Sequence, residues 1–482
     1  MTTNQEERQN SFRGLAGTSL SYNGDFMSVA AIEGFSGTYN EVLTQWLQFA
    51  LGSSSANIND LKQAYAKSLN YETWDSIRDV PLPLVGGGGL TSLATFTRAS
   101  SGTYFDSSGV LQTATTNEAR IDHFQDGSGN YGLLVEEART NILLQSEDLT
   151  TTWTNFNSTE TANTTIAPDG ATTADMFVRS STSSSYIAQA ITKAASAIEY
   201  TFSAFVHRTA GTGDYVALRC QGAFPARVDV VYRKSTNAIT SSVATTFTGL
   251  TSGVETINDD WVRIWMTFTT DAVSGLTPVI SSNDNGVHVD GTSGSSDTTS
   301  VFWGMQLEVG SFATSYIKTT TSSVTRAADV CTIDLSSANW FNSSEGTIVI
   351  DFLTLGWSKD YQTMFSFGDG TTGNTIGLRV RGDTEALEVS IIATTTQTAL
   401  TLESPITHLE SRRVAIAYKA NDVAACLNGG TVGIDNTVTL PAMTDLYIGD
   451  IGSGSRYANA IIPNFRYYPT RLSDATLQAI TT

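Results

Sequence analysis

Positive charge is scarce in this chain. Lys and Arg number 27 against 47 Asp and Glu, a formal charge of −20, and the acidic excess is spread along the chain instead of gathered in a tail. Such a surface repels phosphate backbones, and no basic stripe compensates, so nucleic acid is not expected as a partner. Only four histidines occur, His123, His207, His288 and His408, and none stands in an HExxH or similar metal spacing. The three cysteines, Cys220, Cys331 and Cys426, form neither a CxxC pair nor a disulfide framework. Buried free thiols are the expectation for them. There is no GxSxG elbow, no GxxxxGK[ST] loop and no dinucleotide fingerprint. No run of about 18 apolar residues exists, so membrane insertion is not expected. The opening MTTNQEERQN lacks the basic and apolar regions of a secretory leader. The long repeat array of a β-helix is missing too.

Charged residues make up 15% of the chain and prolines number nine. With Ser, Thr and Gly abundant, this composition favours strands joined by polar turns over long helices. The length predicts about three domains, each able to bury a core. Residues 1–80 differ from the rest. Val42, Leu43, Trp46, Leu47 and Ala50 fall at helical spacing, and a second helix can start at Asn59 or Asp60. Residues 81–93 carry two prolines and then four glycines, Gly86 to Gly89, and read as a linker. A β joint segment is expected over 94–145. A β-sandwich is expected over 146–319, where short alternating segments such as Thr201–Val206, Arg227–Tyr232 and Trp261–Phe268 are bounded by turns.

A second sandwich is expected over 320–482. There Ile348, Ile350 and Phe352 share one face of a strand, Asn428-Gly429-Gly430 makes a hairpin turn, and Ser473 caps a short final helix. The fold class is therefore mainly β: two antiparallel β-sandwich domains, which the resemblance given below makes jelly rolls, behind a small α-helical module. The segment Thr325-Arg326-Ala327-Ala328 echoes Thr97-Arg98-Ala99-Ser100. Such an echo fits a middle sandwich inserted into the C-terminal one.

The residues Thr95 to Ser100, Tyr104 to Asp106, Leu111 to Ala114, Asn117 to Asp122 and Gly132 to Leu144 carry a family likeness. Together they resemble a joint found in tailed-bacteriophage virion appendages: tail fibres, tail spikes and capsid fibres. The stretch Trp303 to Ile317, running on into Val324 to Asp329, is similar to the closing strand of carbohydrate-binding-module-like jelly rolls in those proteins. The end of the chain, through Phe465 to Gln478, looks like a concanavalin or laminin-G-type jelly roll. The resemblance implies a structural virion protein, assembled in the host cytoplasm and released by lysis. It implies attachment to other virion proteins through residues 1–80, contact with host surface polysaccharide, and a homotrimer. A capsid decoration (head fibre) protein without a receptor role is the alternative, and a polysaccharide-degrading spike a more distant one. No enzyme is expected. Glu136-Glu137 is assigned to the scaffold, one of the two pairing with Arg120 or Arg139, because neighbours on a strand face opposite ways.

Sugars bind flat aromatic faces flanked by planar polar groups. In Trp261 to Phe268 the set Val262, Ile264, Met266 and Phe268 should face the core, leaving Trp261, Arg263 and Trp265 on the other face as a candidate glycan platform. The competing expectation is that the joint segment or a neighbouring subunit covers this face, with Arg263 merely stacked between the rings. Trp357 and Tyr361 form a second candidate. No cofactor is required. Calcium is the one metal considered, on loop oxygens of Asp369 and Asn374, although turn formation accounts for such sequences as well.

Overall fold

The computed structural model describes residues 82–86, 89–91, 93–123, 131–290, 295–336, 338, 340–356 and 360–482. The expected helical module over 1–80 lies outside the described residues. What is described is almost entirely antiparallel strand, with one α-helix, Asp474–Thr481.

The middle sandwich packs a six-stranded sheet on a seven-stranded one. The six-stranded sheet runs in the order Ser158–Ile166, Thr172–Arg179, Thr299–Val309, Glu199–His207, Trp261–Thr269, Thr248–Thr256. Val262, Ile264, Met266 and Phe268 all point inward and are fully buried. They meet Val216, Leu218, Val228 and Val230 of the facing sheet, as period-two alternation requires.

The C-terminal sandwich is built from both ends of the described chain. Its first sheet centres on Glu345–Thr354, between Ala460–Tyr468 and Ser411–Lys419. Tyr131–Val135 joins at Ala460 to Ile462. Its second sheet ends with Val330–Asp334 and then Thr95–Thr97. The expected inward set Ile348, Ile350 and Phe352 is buried, and so is Val349 on the opposite face. The final helix explains the latter: Leu477 and Leu472 cover Val349, Ala415 and Ala424. Ser473 caps that helix by accepting a hydrogen bond from the Thr476 N–H at 3.2 Å. Cys220, Cys331 and Cys426 are all free and buried.

The stretch read as a linker behaves differently from that expectation. Leu82–Gly86 pairs with Ala460–Tyr468, and Gly89–Leu90 folds back on it. A register shift falls between Pro83 and Val85, where a proline without an N–H interrupts the ladder. Alternation is hard to read in Leu-Pro-Leu-Val-Gly, so the pattern gave no sign of a strand.

The middle sandwich leaves and re-enters the C-terminal one through a neck. The outgoing strand Arg139–Asn141 pairs with the returning strand Val324–Arg326, Thr140 opposite Thr325. Close packing beside the neck has a measurable consequence. A Cβ on Gly132 would stand 2.5 Å from the Ile462 carbonyl carbon and the Pro463 nitrogen, which are main-chain atoms that cannot turn aside. Gly132→Ala should therefore destabilise the C-terminal sandwich by about 1–3 kcal/mol in urea unfolding. Gly275→Ala, where a Cβ meets nothing within 4 Å, serves as the control with little change.

Candidate functional site

A cleft of about 1080 Å³ opens between the two sandwiches. Its floor is the outer face of the six-stranded sheet, with Gly253 and Glu255 on one strand and Arg263 and Trp265 on the next. The joint segment supplies one wall through Tyr104, Phe105 and Asp122. The C-terminal sandwich supplies another through Leu355, His408 and Leu409, and residues 311–316 close the base.

Trp265 sits directly across from Gly253 in the ladder. A Cβ on Gly253 would fall 2.6 Å from indole Cζ2 and 2.8 Å from Cε2, so the ring lies over the glycine. The half-buried ring borders the cleft. Arg263 is held beneath. Its Nη2 donates to Ser203 Oγ at 2.9 Å and its Nη1 to the Thr314 carbonyl at 2.6 Å, and its guanidinium lies 5.4 Å from the Phe205 ring centre. With 4% exposure, Arg263 braces the floor and pins the loop at its base. Trp261 is 3% exposed and donates from Nε1 to the Ile166 carbonyl at 3.2 Å. It packs with Phe205, Trp303, Tyr316 and Leu111, the last from the joint hairpin Gly102–Phe105/Leu111–Ala114. The joint segment thus covers the Trp261 end of the face. The expected two-ring platform is reduced to one accessible ring, because Trp261 has no face left for a sugar.

The second candidate does not offer an open ring. Trp357 lies outside the described residues. Tyr361 already has the guanidinium carbons of Arg379 and Arg456 at 4.7 and 4.8 Å from its centre. Asp369 is occupied by its own turn. Oδ1 accepts from the Thr371 N–H at 3.0 Å and Oδ2 from Asn374 Nδ2 at 2.8 Å, the turn arrangement weighed against calcium above. Among the described residues, no group of three or more His, Cys, Asp or Glu is placed to hold a metal.

Sequence reasoning did not find two acids of the cleft. Asp122 is 8% exposed, and its Oδ2 accepts from the Phe105 N–H at 3.0 Å. Burial pushes its carboxyl up to about 7, with Arg120 pulling against this and Glu136 and Glu255 adding to it. Glu255 is half-buried with no hydrogen bond or ion pair to a described residue. Burial raises its pKa against the attraction of Arg263. His408 binds Thr354 Oγ1 through Nδ1 at 3.1 Å, while its Nε2 is buried without a partner. Burial, then Arg412, lowers its pKa and keeps the ring neutral. The position of Glu255, two residues beyond Gly253 and so on the same strand face, was the one signal available in the sequence.

Behind the wall lies a cluster of buried charges. Asp329 binds Arg98 at 3.1 Å and Arg120 at 2.5 Å, and Glu136 binds Arg120 at 2.8 Å and Arg326 at 3.5 Å. All five side chains are at most 1% exposed. Glu137 pairs with Arg139. Burial works against ionisation of Glu136, but Arg326, Arg120 and hydrogen bonds from Ser315 hold its carboxyl down at about 2. The short echo of Arg98 and Arg326 in sequence has a physical counterpart here, since both guanidinium groups converge on Asp329.

Asp122 sets a pH dependence. Its folded pKa lies above the unfolded value of 3.8, so its contribution to stability is complete below about 4 and is lost as pH rises to about 7. Asp122→Asn keeps an acceptor for Phe105 and cannot ionise. The variant should match the parent near pH 4 and exceed it in urea midpoint near pH 8. Parallel stability–pH curves for the two proteins would refute the assignment.

No family model matches the chain, and neither does any curated protein. Solved structures do show similarity. One is the Ruminococcus gnavus IT-sialidase CBM40 bound to alpha2,3 sialyllactose, at 21% identity and TM-score 0.27, covering 31% of this chain and 90% of that one. A second is the NanB sialidase of Streptococcus pneumoniae, at 14% identity and TM-score 0.24, covering 31% and 26%. A third is the botulinum neurotoxin type G receptor-binding domain, at 12% identity and TM-score 0.25, covering 31% and 38%.

Proposed function

We propose that this chain is a structural component of a tailed-phage virion, a tail fibre or similar appendage, that binds host surface glycans in the cleft between its sandwiches. One observation carries the glycan reading: an indole ring bordering a cleft of about 1080 Å³, beside carboxylates that keep at least one oxygen without a hydrogen bond among the described residues. Aromatic faces take the C–H side of a pyranose, and such oxygens take its hydroxyls. The virion reading rests on the joint sequence from Thr95 to Leu144 and on Trp303 to Asp329. On this reading residues 1–80 attach the chain to other virion proteins, the assembled form is a homotrimer, and the protein leaves the host by lysis.

The role is binding without cleavage. General acid–base work on a glycosidic bond uses two carboxyls at the substrate with their pKa values pushed apart. Asp122 and Glu255 are both pushed up. Glu136, the one held low, is 1% exposed and occupied by arginines and Ser315. Labelled full-length protein should adhere to host cells and release no reducing ends from host polysaccharide. Antibody to the chain should mark the tail of intact particles. Capsid labelling without cell adhesion would replace the appendage reading with decoration, and liberated reducing ends would overturn the non-catalytic one.

A further inference from the structure

We infer that the cleft selects a glycan carrying a free amino group and rejects carboxylated glycans. This inference rests on the glycan-binding reading above and names its ligand class. Charge balance within the cleft carries it. Arg263 is the one arginine among the described lining residues, no lysine accompanies it, and its donors are directed to Ser203 and Thr314. Burial and Arg412 favour the uncharged form of His408, so these lining residues keep no free cation to meet a carboxylate or sulfate. The anionic side is unspent. Glu255 faces Arg263 across the ladder and feels its charge, but makes no hydrogen bond or ion pair to a described residue, and Asp122, more than nine-tenths buried, commits only one oxygen, to Phe105.

The charge of Glu255 reaches Asp122 and helps to hold its carboxyl protonated. An ammonium placed over Trp265 would relieve both, by charge-assisted hydrogen bonds in a partly desolvated site. It would also gain from the indole face itself. A carboxylated sugar would instead bring a further negative charge to a cleft that already resists ionising these two acids.

The test is titration calorimetry of the full chain with three probes: the glucosamine tetramer, the N-acetylglucosamine tetramer and the galacturonic acid tetramer, at near-physiological salt. The amino tetramer should bind at least about tenfold tighter than its acetylated form, roughly 1.4 kcal/mol, and the uronate should not bind. Glu255→Gln should shrink the amino-over-acetyl ratio, while Asp383→Asn, which removes an equal charge from an exposed site, should leave it intact. A preference that survives Glu255→Gln and Asp122→Asn reflects only the bulk charge of −20 and overturns the inference. Equal binding of amino and acetyl tetramers overturns the amine selection but keeps the cleft as a glycan site. Uronate binding overturns the selection, and no binding by any probe overturns both.

Discussion

Replacing Asp329 with asparagine should cost the C-terminal sandwich about 3–5 kcal/mol, the usual penalty for breaking a buried ion pair from one side. The size follows from what remains. Three guanidinium groups, Arg98, Arg120 and Arg326, share Asp329 and Glu136 at exposures of 0–1%. Removing one acid leaves Glu136 as the one fully ionised counter-charge, because Asp122 beside it titrates only near 7. Asp329 Oδ2 also accepts from the Glu136 main-chain N–H at 2.9 Å, so the loss reaches the strand that starts the neck. Urea unfolding read by tryptophan fluorescence measures this directly. The double variant Asp329→Asn with Arg98→Met should recover part of the loss, since it removes one stranded cation. A single-variant loss under about 1 kcal/mol would mean that the charges are better hydrated than their burial says.

Trp265→Ala should abolish most glycan affinity, by about 10- to 100-fold, the effect of truncating an aromatic anchor at the centre of a site. The fold should survive, because the ring is half-buried and rests on Gly253 instead of filling the core. The comparison with Trp261 makes the test sharp. Trp261→Ala empties a packed site among Phe205, Trp303 and Tyr316 and should cost about 3–5 kcal/mol of stability, with binding affected only through the fold. Adhesion to host cells and the urea midpoint should separate the two variants. Retained adhesion by Trp265→Ala would remove the cleft from the functional account.

Local pattern was legible wherever one element decided its own outcome. Alternation placed Val262 to Phe268 and Ile348 to Phe352 correctly because each strand has one face on a core. Ser473 announced its helix through capping chemistry. What was hidden depends on partners far away in sequence. Leu82–Gly86 is a strand only because Ala460–Tyr468 lies beside it. Trp261 and Trp265 look alike along the chain, and only the joint hairpin, some 150 residues earlier, decides which one is covered. Asp122 was hidden for the same reason, since its place in the cleft lining depends on packing that no local pattern spans.

The plan of the C-terminal sandwich also dictates an order of assembly during synthesis. The middle sandwich, closed by Thr299–Val309, has all its strands once that segment has left the ribosome. Leu82–Gly86 and Tyr131–Val135 have only the short partners Gly89–Leu90 and Ile121–His123 until Ala460–Tyr468 appears and pairs with both. At about 5–20 residues per second that is a wait on the order of half a minute. During that interval the earliest strands have bare edges, and a nascent chain stalled short of residue 460 would present them to its neighbours.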